Sequence, residues 1–228
     1  MRIFLIRHGV STANLDSKVH HELPDHAIPL APQGLEQAER AREVLEQYLS
    51  ENRQDRTLLW RSPYTRTRQT AEVLAKARYL YTKDLIVNEI KENICLCEQK
   101  FGLFDGLSNE ELKAKFPEEY NYYDLAERFG GRFWAQMPLG ESRYDVALRV
   151  HQIFGTWKRD QEKHGIDTVI VVSHGVTIRA IVMRWLDLPY EWFEQEPNPG
   201  NCSIRLLDGC EDKGYLFKGF ARDGTLIT

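Results

Sequence analysis

The sequence predicts an α/β fold with a mostly parallel central sheet, helices on both faces and an antiparallel edge strand late in the chain. Two observations lead there. Residues 2–6 and 168–172 are β-branched, apolar runs without alternation, the pattern of strands buried on both faces. Amphipathic helical patterns follow and separate such runs along most of the chain, and strands alternating with helices build parallel sheets through crossover connections.

The first strand, 2–6, ends in Arg7-His8-Gly9. Residues 33–49 then place Leu35, Ala38, Ala41, Val44, Leu45 and Tyr48 or Leu49 at helical spacing. A short strand at 57–60 runs into Ser62-Pro63 and a second helix at 65–77, and 85–87 reads as a further strand. The segment 98–141 breaks this rhythm. Rich in charges and aromatics (Phe101, Phe104, Tyr120, Tyr123, Phe133, Trp134), it is expected to be a helical insertion roofing a site above the sheet. A long amphipathic helix at 143–163 precedes the strand at 168–172, which ends in Ser173-His174-Gly175 and passes into a helix at 176–186. Two late strands, 202–207 and 215–220, flank a glycine-containing turn. With 228 residues and neither a linker nor a repeat, the expectation is one domain over 1–228, its insertion at about 98–141 capping the active site.

Composition excludes several classes of function. The net charge is −4 with Lys and Arg scattered, so no basic stripe favours nucleic acid. The apolar run at 3–6 is too short for a signal peptide and nothing approaches the roughly 20 apolar residues of a membrane helix, so a cytoplasmic protein without membrane partners is expected. Cys95, Cys97, Cys202 and Cys210 are too few for a disulfide framework, and Cys-x-Cys is not the usual zinc spacing, so they read as small apolar fillers. No nucleotide-binding loop, dinucleotide fingerprint or His-Glu-x-x-His motif appears, and neither metal nor cofactor is expected. Tyr190 to Phe193 is a candidate surface for a homodimer.

Two histidines leaving the sheet at carboxyl ends of strands put His8 and His174 where open α/β sheets bind ligands. Arg7 sets a cation beside the first imidazole, and Gly9 permits close approach of backbone N–H groups to an anion. A neutral imidazole attacks phosphorus directly, and phosphoryl transfer needs positive charge on the equatorial oxygens, which Arg7 and Arg66 can supply. Arg66 is preferred to Arg68, two positions away and on another helix face.

These residues, with Ser11, Thr12 and Asn14, Pro29-Leu30, Gly34, Gln37-Ala38, Ser62, Thr70-Ala71, Glu98, Asp105-Gly106, Gly140-Glu141-Ser142, Asp145, Arg149 and Ile178-Arg179, occur in an order that resembles the histidine phosphatase superfamily, also called phosphoglycerate mutase-like. The resemblance covers nearly the whole chain. It implies a three-layer α/β/α sandwich and a metal-independent phosphomonoester hydrolase acting on a small phosphorylated substrate. His8 is similar to the phosphorylated nucleophile, Arg7, Arg66 and His174 to the rest of the phosphate pocket, and Glu98 to the proton donor. Ser11, Thr12, Asn14 and the backbone N–H of Val176 are further candidate phosphate contacts. Phe104, where many members carry Trp, reads as a packing substitution.

Two rivals stand beside this reading. A cofactor-dependent phosphoglycerate mutase would share the pocket, but such mutases carry paired arginines and Pro-rich sequence in the insertion, which 120–138 lacks. Arg132, with Arg128, is a candidate for a second phosphate or carboxylate, the alternative being surface ion pairs. A catalytically silent phosphate-binding protein would need no nucleophile and acid together.

Overall fold

The computed structural model describes residues 1–51, 56–78, 80 and 90–228. Within them β1 (Arg2–Arg7), β2 (Thr57–Arg61), β3 (Lys91–Glu92), β4 (Thr168–Ser173), β5 (Ile204–Asp208) and β6 (Glu211–Phe217) form one sheet in the order β3-β2-β4-β1-β5-β6. The first four run parallel, β5 pairs antiparallel with β1, and β6 antiparallel with β5. The late edge therefore carries two antiparallel ladders where one edge strand was expected. β1 and β4 pair in unbroken register from Arg2↔Thr168 to Arg7↔Ser173, so His8 and His174 emerge side by side at the same level.

Period-two alternation along the central strands divides the core into two layers. Ile3, Leu5, Val169 and Val171 face Val146, Val150, Ile153 and Trp157 of α7 (Arg143–His164) and Ile178 and Ile181 of α8 (Gly175–Trp185). Phe4, Ile6, Ile170 and Val172 face Ala38, Ala41, Leu45 and Leu49 of α3 (Pro32–Glu51) and Ala71 and Leu74 of α4 (Thr65–Leu74). Helices on both faces of the sheet give the three-layer sandwich. Each large aliphatic or aromatic side chain buried this way contributes about 1.5–3 kcal/mol. Among the described helices, none is long and apolar enough to cross a membrane.

The remaining helices are short. α1 (Thr12–Leu15) and α2 (Val19–Glu22) carry the chain from β1 towards α3. α5 (Asn109–Lys115) and α6 (Pro117–Gly130) lie within 98–141, the segment expected to be an insertion, and α9 (Tyr190–Gln195) follows α8. Ser108 with Glu111 and Ser142 with Asp145 form reciprocal caps on α5 and α7, and Gly165 ends α7 in the left-handed conformation at φ 61°. The helix expected at 65–77 stops at Leu74 and closes in turns, with Lys76 and Ala77 N–H groups bonded three residues back. The strand expected at 85–87 lies outside the described residues. Among the described residues the ladder at this edge is β3, two residues with no apolar run of their own.

Candidate functional site

β1 delivers His8 and β4 delivers His174, their ring centroids 5.2 Å apart and both rings buried. A carbonyl only accepts, so the 2.7 Å contact of His8 Nδ1 with Gly9 O puts the ring proton on Nδ1 and leaves the lone pair on Nε2. Burial, followed by the charges of Arg66 and Arg7, pushes His8 well below the usual imidazole pKa and keeps it neutral. His174 is held down in the same way by burial and Arg66, its Nε2 lying 2.9 Å from Ser62 Oγ.

Arg7 is fixed by its bond to Pro199 O at 2.7 Å, and burial lowers its pKa to about 10, where it remains a cation at neutral pH. Arg66, buried on the first turn of α4, bonds the Asp25 carbonyl at 2.6 Å and both carboxylate oxygens, at 2.9 and 3.3 Å, with Tyr64 stacked 4.9 Å from the guanidinium. Arg68 turns away and makes a two-pronged pair with Glu92 at 2.7 and 2.8 Å, as the helix geometry requires.

Glu98 sits at the start of α8. Its Oε1 accepts from the backbone N–H of Gln99 at 3.0 Å and of Thr177 at 3.3 Å, and its Oε2 from Val176 N–H at 3.3 Å. The Val176 N–H expected to face the phosphate is thus turned to the carboxylate, a contact across 78 residues that no local pattern announces. Arg149 fastens this loop from α7, bonding Cys95 O at 2.8 Å, Glu98 O at 3.0 Å and the Glu141 carboxylate at 2.8 Å.

Gly9 also has a different task from the one expected. Its N–H donates to Thr70 Oγ1 at 3.2 Å rather than to an anion, and a Cβ there would lie 2.3 Å from Gly34 O. Gly34 is constrained reciprocally, with a Cβ 2.2 Å from Val10 O. The pair lets the loop after β1 press directly on the first turn of α3.

In front of these groups lies a cavity of about 210 Å³, lined by Arg7, His8, Ser11, Asn14, Arg66, Glu98 and Val176, all singled out from the sequence. Ser11 and Asn14 cap each other, Ser11 Oγ taking the Asn14 N–H and Asn14 Oδ1 the Ser11 N–H, which leaves the Asn14 amide nitrogen to donate. Three candidates stay outside the lining, His174 among them, its ring packed edge-on against that of His8. Thr12 turns its hydroxyl to Pro29 O at 3.5 Å, and Arg132 is an exposed side chain 3.5 Å from Glu127.

The cavity also gathers His20, Asp25, Phe101, Asp105, Asn198 and Arg222. Asp25 follows Leu23-Pro24 and reads locally as a turn residue, so its carboxylate on Arg66 carried no signal. His20 lies 3.5 Å from Asp105, whose hydrogen bond raises the imidazole pKa. His20, Asp25 and Asp105 offer ligand atoms within 4.8 Å of one another, but Asp25 is spent on Arg66. Larger hollows of about 530 and 440 Å³ lie against α6 and beside Met1, away from both histidines. Of the insertion aromatics, Phe101 alone among the described residues lines the cavity. Phe104 stacks on Tyr123, Phe133 on Phe193 and Trp134 on Tyr144, so they fasten the insertion to itself and to α7 and α9.

One strand-end histidine, two arginines and a carboxyl lining one small cavity, with the second histidine packed against the first, form a constellation that can be compared with known proteins. A model of the histidine phosphatase superfamily (branch 1) matches residues 3–219. The chain belongs to that superfamily. Phosphoglycerate mutase-like protein AT74 of Arabidopsis thaliana is 33% identical over 217 residues, 91% of this chain, and the chain spans 64% of that protein's length. Broad-range acid phosphatase DET1 of Saccharomyces cerevisiae is 24% identical, with 90% of this chain and 84% of that protein covered. A solved structure of mycobacterial glucosyl-3-phosphoglycerate phosphatase with inorganic phosphate matches at 27% identity and a TM-score of 0.64, covering 91% of this chain and 89% of that one.

Proposed function

We propose that this superfamily member hydrolyses phosphomonoesters of small metabolites through a phosphohistidine, without a metal. The observation that carries the reading is the state of His8: a buried, neutral ring whose Nδ1 proton is spent on Gly9 O, leaving Nε2 as a nucleophile in a cavity shared with Arg7 and Arg66, with His174 packed against the ring. Membership of the superfamily, and relatives named as phosphatases, support it.

In the first step the Nε2 lone pair attacks phosphorus, forming P–N while the ester P–O bond breaks. The protonated carboxyl of Glu98 gives its proton to the departing oxygen. In the second step Glu98, now a carboxylate, takes a proton from water, whose oxygen attacks phosphorus as P–N breaks and inorganic phosphate leaves. Arg7 and Arg66 offset the charge on the equatorial oxygens throughout, and the fixed Nδ1–H···O bond of His8 keeps the ring aligned for both displacements. A cavity of about 210 Å³ suits a phosphate with a small leaving group.

The test is phosphate release from alkyl and aryl phosphates by wild type and His8→Ala, with and without a chelator. Turnover that survives chelation and vanishes in His8→Ala supports the reading. Chelator-sensitive turnover, or a near-normal His8→Ala enzyme, overturns it. Phosphate binding with no turnover of any ester favours a silent binding protein.

A further inference from the structure

The cavity holds a cation that the chemistry above does not use. Arg222 lies on the turn after β6 and lines the same cavity as Arg7, His8 and Glu98. The turn is built into the fold. Phe220 and Asn201 exchange backbone hydrogen bonds at 2.8 and 2.9 Å, Ala221 N–H bonds Thr225 O at 2.8 Å, and Ile227 N–H bonds Gly219 O at 2.9 Å. The Asn201 amide in turn donates to His8 O at 3.1 Å, so the segment bearing Arg222 is tied to the residue bearing the nucleophile.

The other charged groups in the cavity each have a polar partner, Arg7 in the Pro199 carbonyl. Arg66 is paired with Asp25, Asp105 lies against His20, and Glu98 is satisfied by the start of α8. Arg222 has no hydrogen bond or ion pair with any described residue, yet it is close enough to Arg7 to repel it. Two like charges facing one cavity repel each other, and an anion bound between or beside them relieves that repulsion. Position separates their roles: His8 and Arg66 are buried at the floor, whereas Arg222 and Asn198 are exposed at the mouth. A phosphoryl group held at the floor directs its leaving group outward, past Glu98, towards Arg222.

We infer that Arg222 forms a second anion subsite at the mouth of the cavity, selecting phosphomonoesters whose leaving group carries a further anionic group, a carboxylate or a second phosphate. Asn198 is placed to share that group. The inference rests on the phosphatase reading for its orientation of substrate.

The experiment compares ethyl phosphate with 2-phosphoglycolate and propane-1,3-diol bisphosphate in wild type, R222A and R222K. The ratio of kcat/KM for an anionic ester to that for ethyl phosphate should fall at least tenfold in R222A and recover in part in R222K. The phosphoglycolate and bisphosphate arms show which anion the subsite takes. A ratio within twofold of wild type for both overturns the inference, whether activity as a whole is kept or lost. Calorimetric affinities of the same three ligands for H8A and for H8A with R222A separate the two levels of the account. A selective loss of affinity there, with no turnover by wild type, leaves the subsite standing and removes the phosphatase reading; turnover without selectivity does the reverse.

Discussion

Replacing Glu98 with Gln keeps the side chain's size and removes its exchangeable proton. The carboxylate takes two donors on Oε1 (Gln99 N–H and Thr177 N–H) and one, Val176 N–H, on Oε2, while the Thr177 hydroxyl donates to Cys97 O. In Glu98→Gln the amide oxygen should take the Oε1 place and the amide nitrogen the Oε2 place, leaving Val176 N–H opposite another donor. One unpaired, partly buried N–H costs about 1–3 kcal/mol of stability, so the variant should fold. Loss of a general acid costs about 10²–10⁴-fold, or about 2.7–5.5 kcal/mol on the barrier, where the leaving oxygen is strongly basic. A nitrophenolate leaves without help. Steady-state kcat/KM should therefore drop about 10²-fold or more for ethyl phosphate and far less for p-nitrophenyl phosphate. Equal losses on the two esters would refute the assignment of Glu98 as proton donor, because a merely structural defect does not sense the leaving group.

Other perturbations test the supports. Arg149→Met removes the guanidinium that joins the Glu141 carboxylate to the Cys95 and Glu98 carbonyls, and should cost about 3 kcal/mol in denaturant unfolding and at least tenfold in kcat on ethyl phosphate. Arg149→Lys, lacking the planar fork, should recover stability better than rate; full recovery of both would contradict the positioning role. Gly34→Ala forces a Cβ to 2.2 Å from Val10 O and should destabilise by about 3 kcal/mol; a change under about 0.5 kcal/mol would show the loop free to move. Folded, His8 and His174 resist protonation, whereas unfolded each takes a proton near 6.5. The unfolded chain then binds more protons, so this contribution to stability is intact above about pH 6.5 and lost below it, at up to about 2.7 kcal/mol per pH unit for the pair. Unfolding free energies at about pH 7.5 and about pH 5.5, on either side of that value, should show the fall shrink by about half in His8→Asn; an undiminished fall would assign it to other groups.

What the sequence disclosed, and what it did not, follows the range of the interactions. Unalternating apolar runs ending in His8 and His174 revealed two central strands and the edge of the sheet where the cavity lies, because burial on both faces leaves a local mark. Arg66 was separable from Arg68 because the helical repeat is also local. Contacts closed by tertiary structure left no such mark: Val176 N–H turned to Glu98, Gly9 pressed on Gly34, and Asp25 on Arg66 all join distant segments. Arg132 was singled out by charge in an aromatic segment, yet it is left at the surface just beyond α6, while Arg222, in an ordinary Ala-Arg-Asp-Gly turn, reaches the cavity. The strand at β3 escaped notice since two residues have no periodicity to read.

The central claim is that His8 carries the phosphoryl group. Rapid mixing of the protein with p-nitrophenyl phosphate, followed by intact mass and peptide mapping at alkaline pH, where phosphoimidazole survives, tests it directly. The expected result is one phosphoryl group per chain, on the peptide containing His8, formed with a matching burst of nitrophenolate and absent from His8→Ala. Turnover with the phosphoryl group on another residue, or an equal burst in His8→Ala, would contradict it.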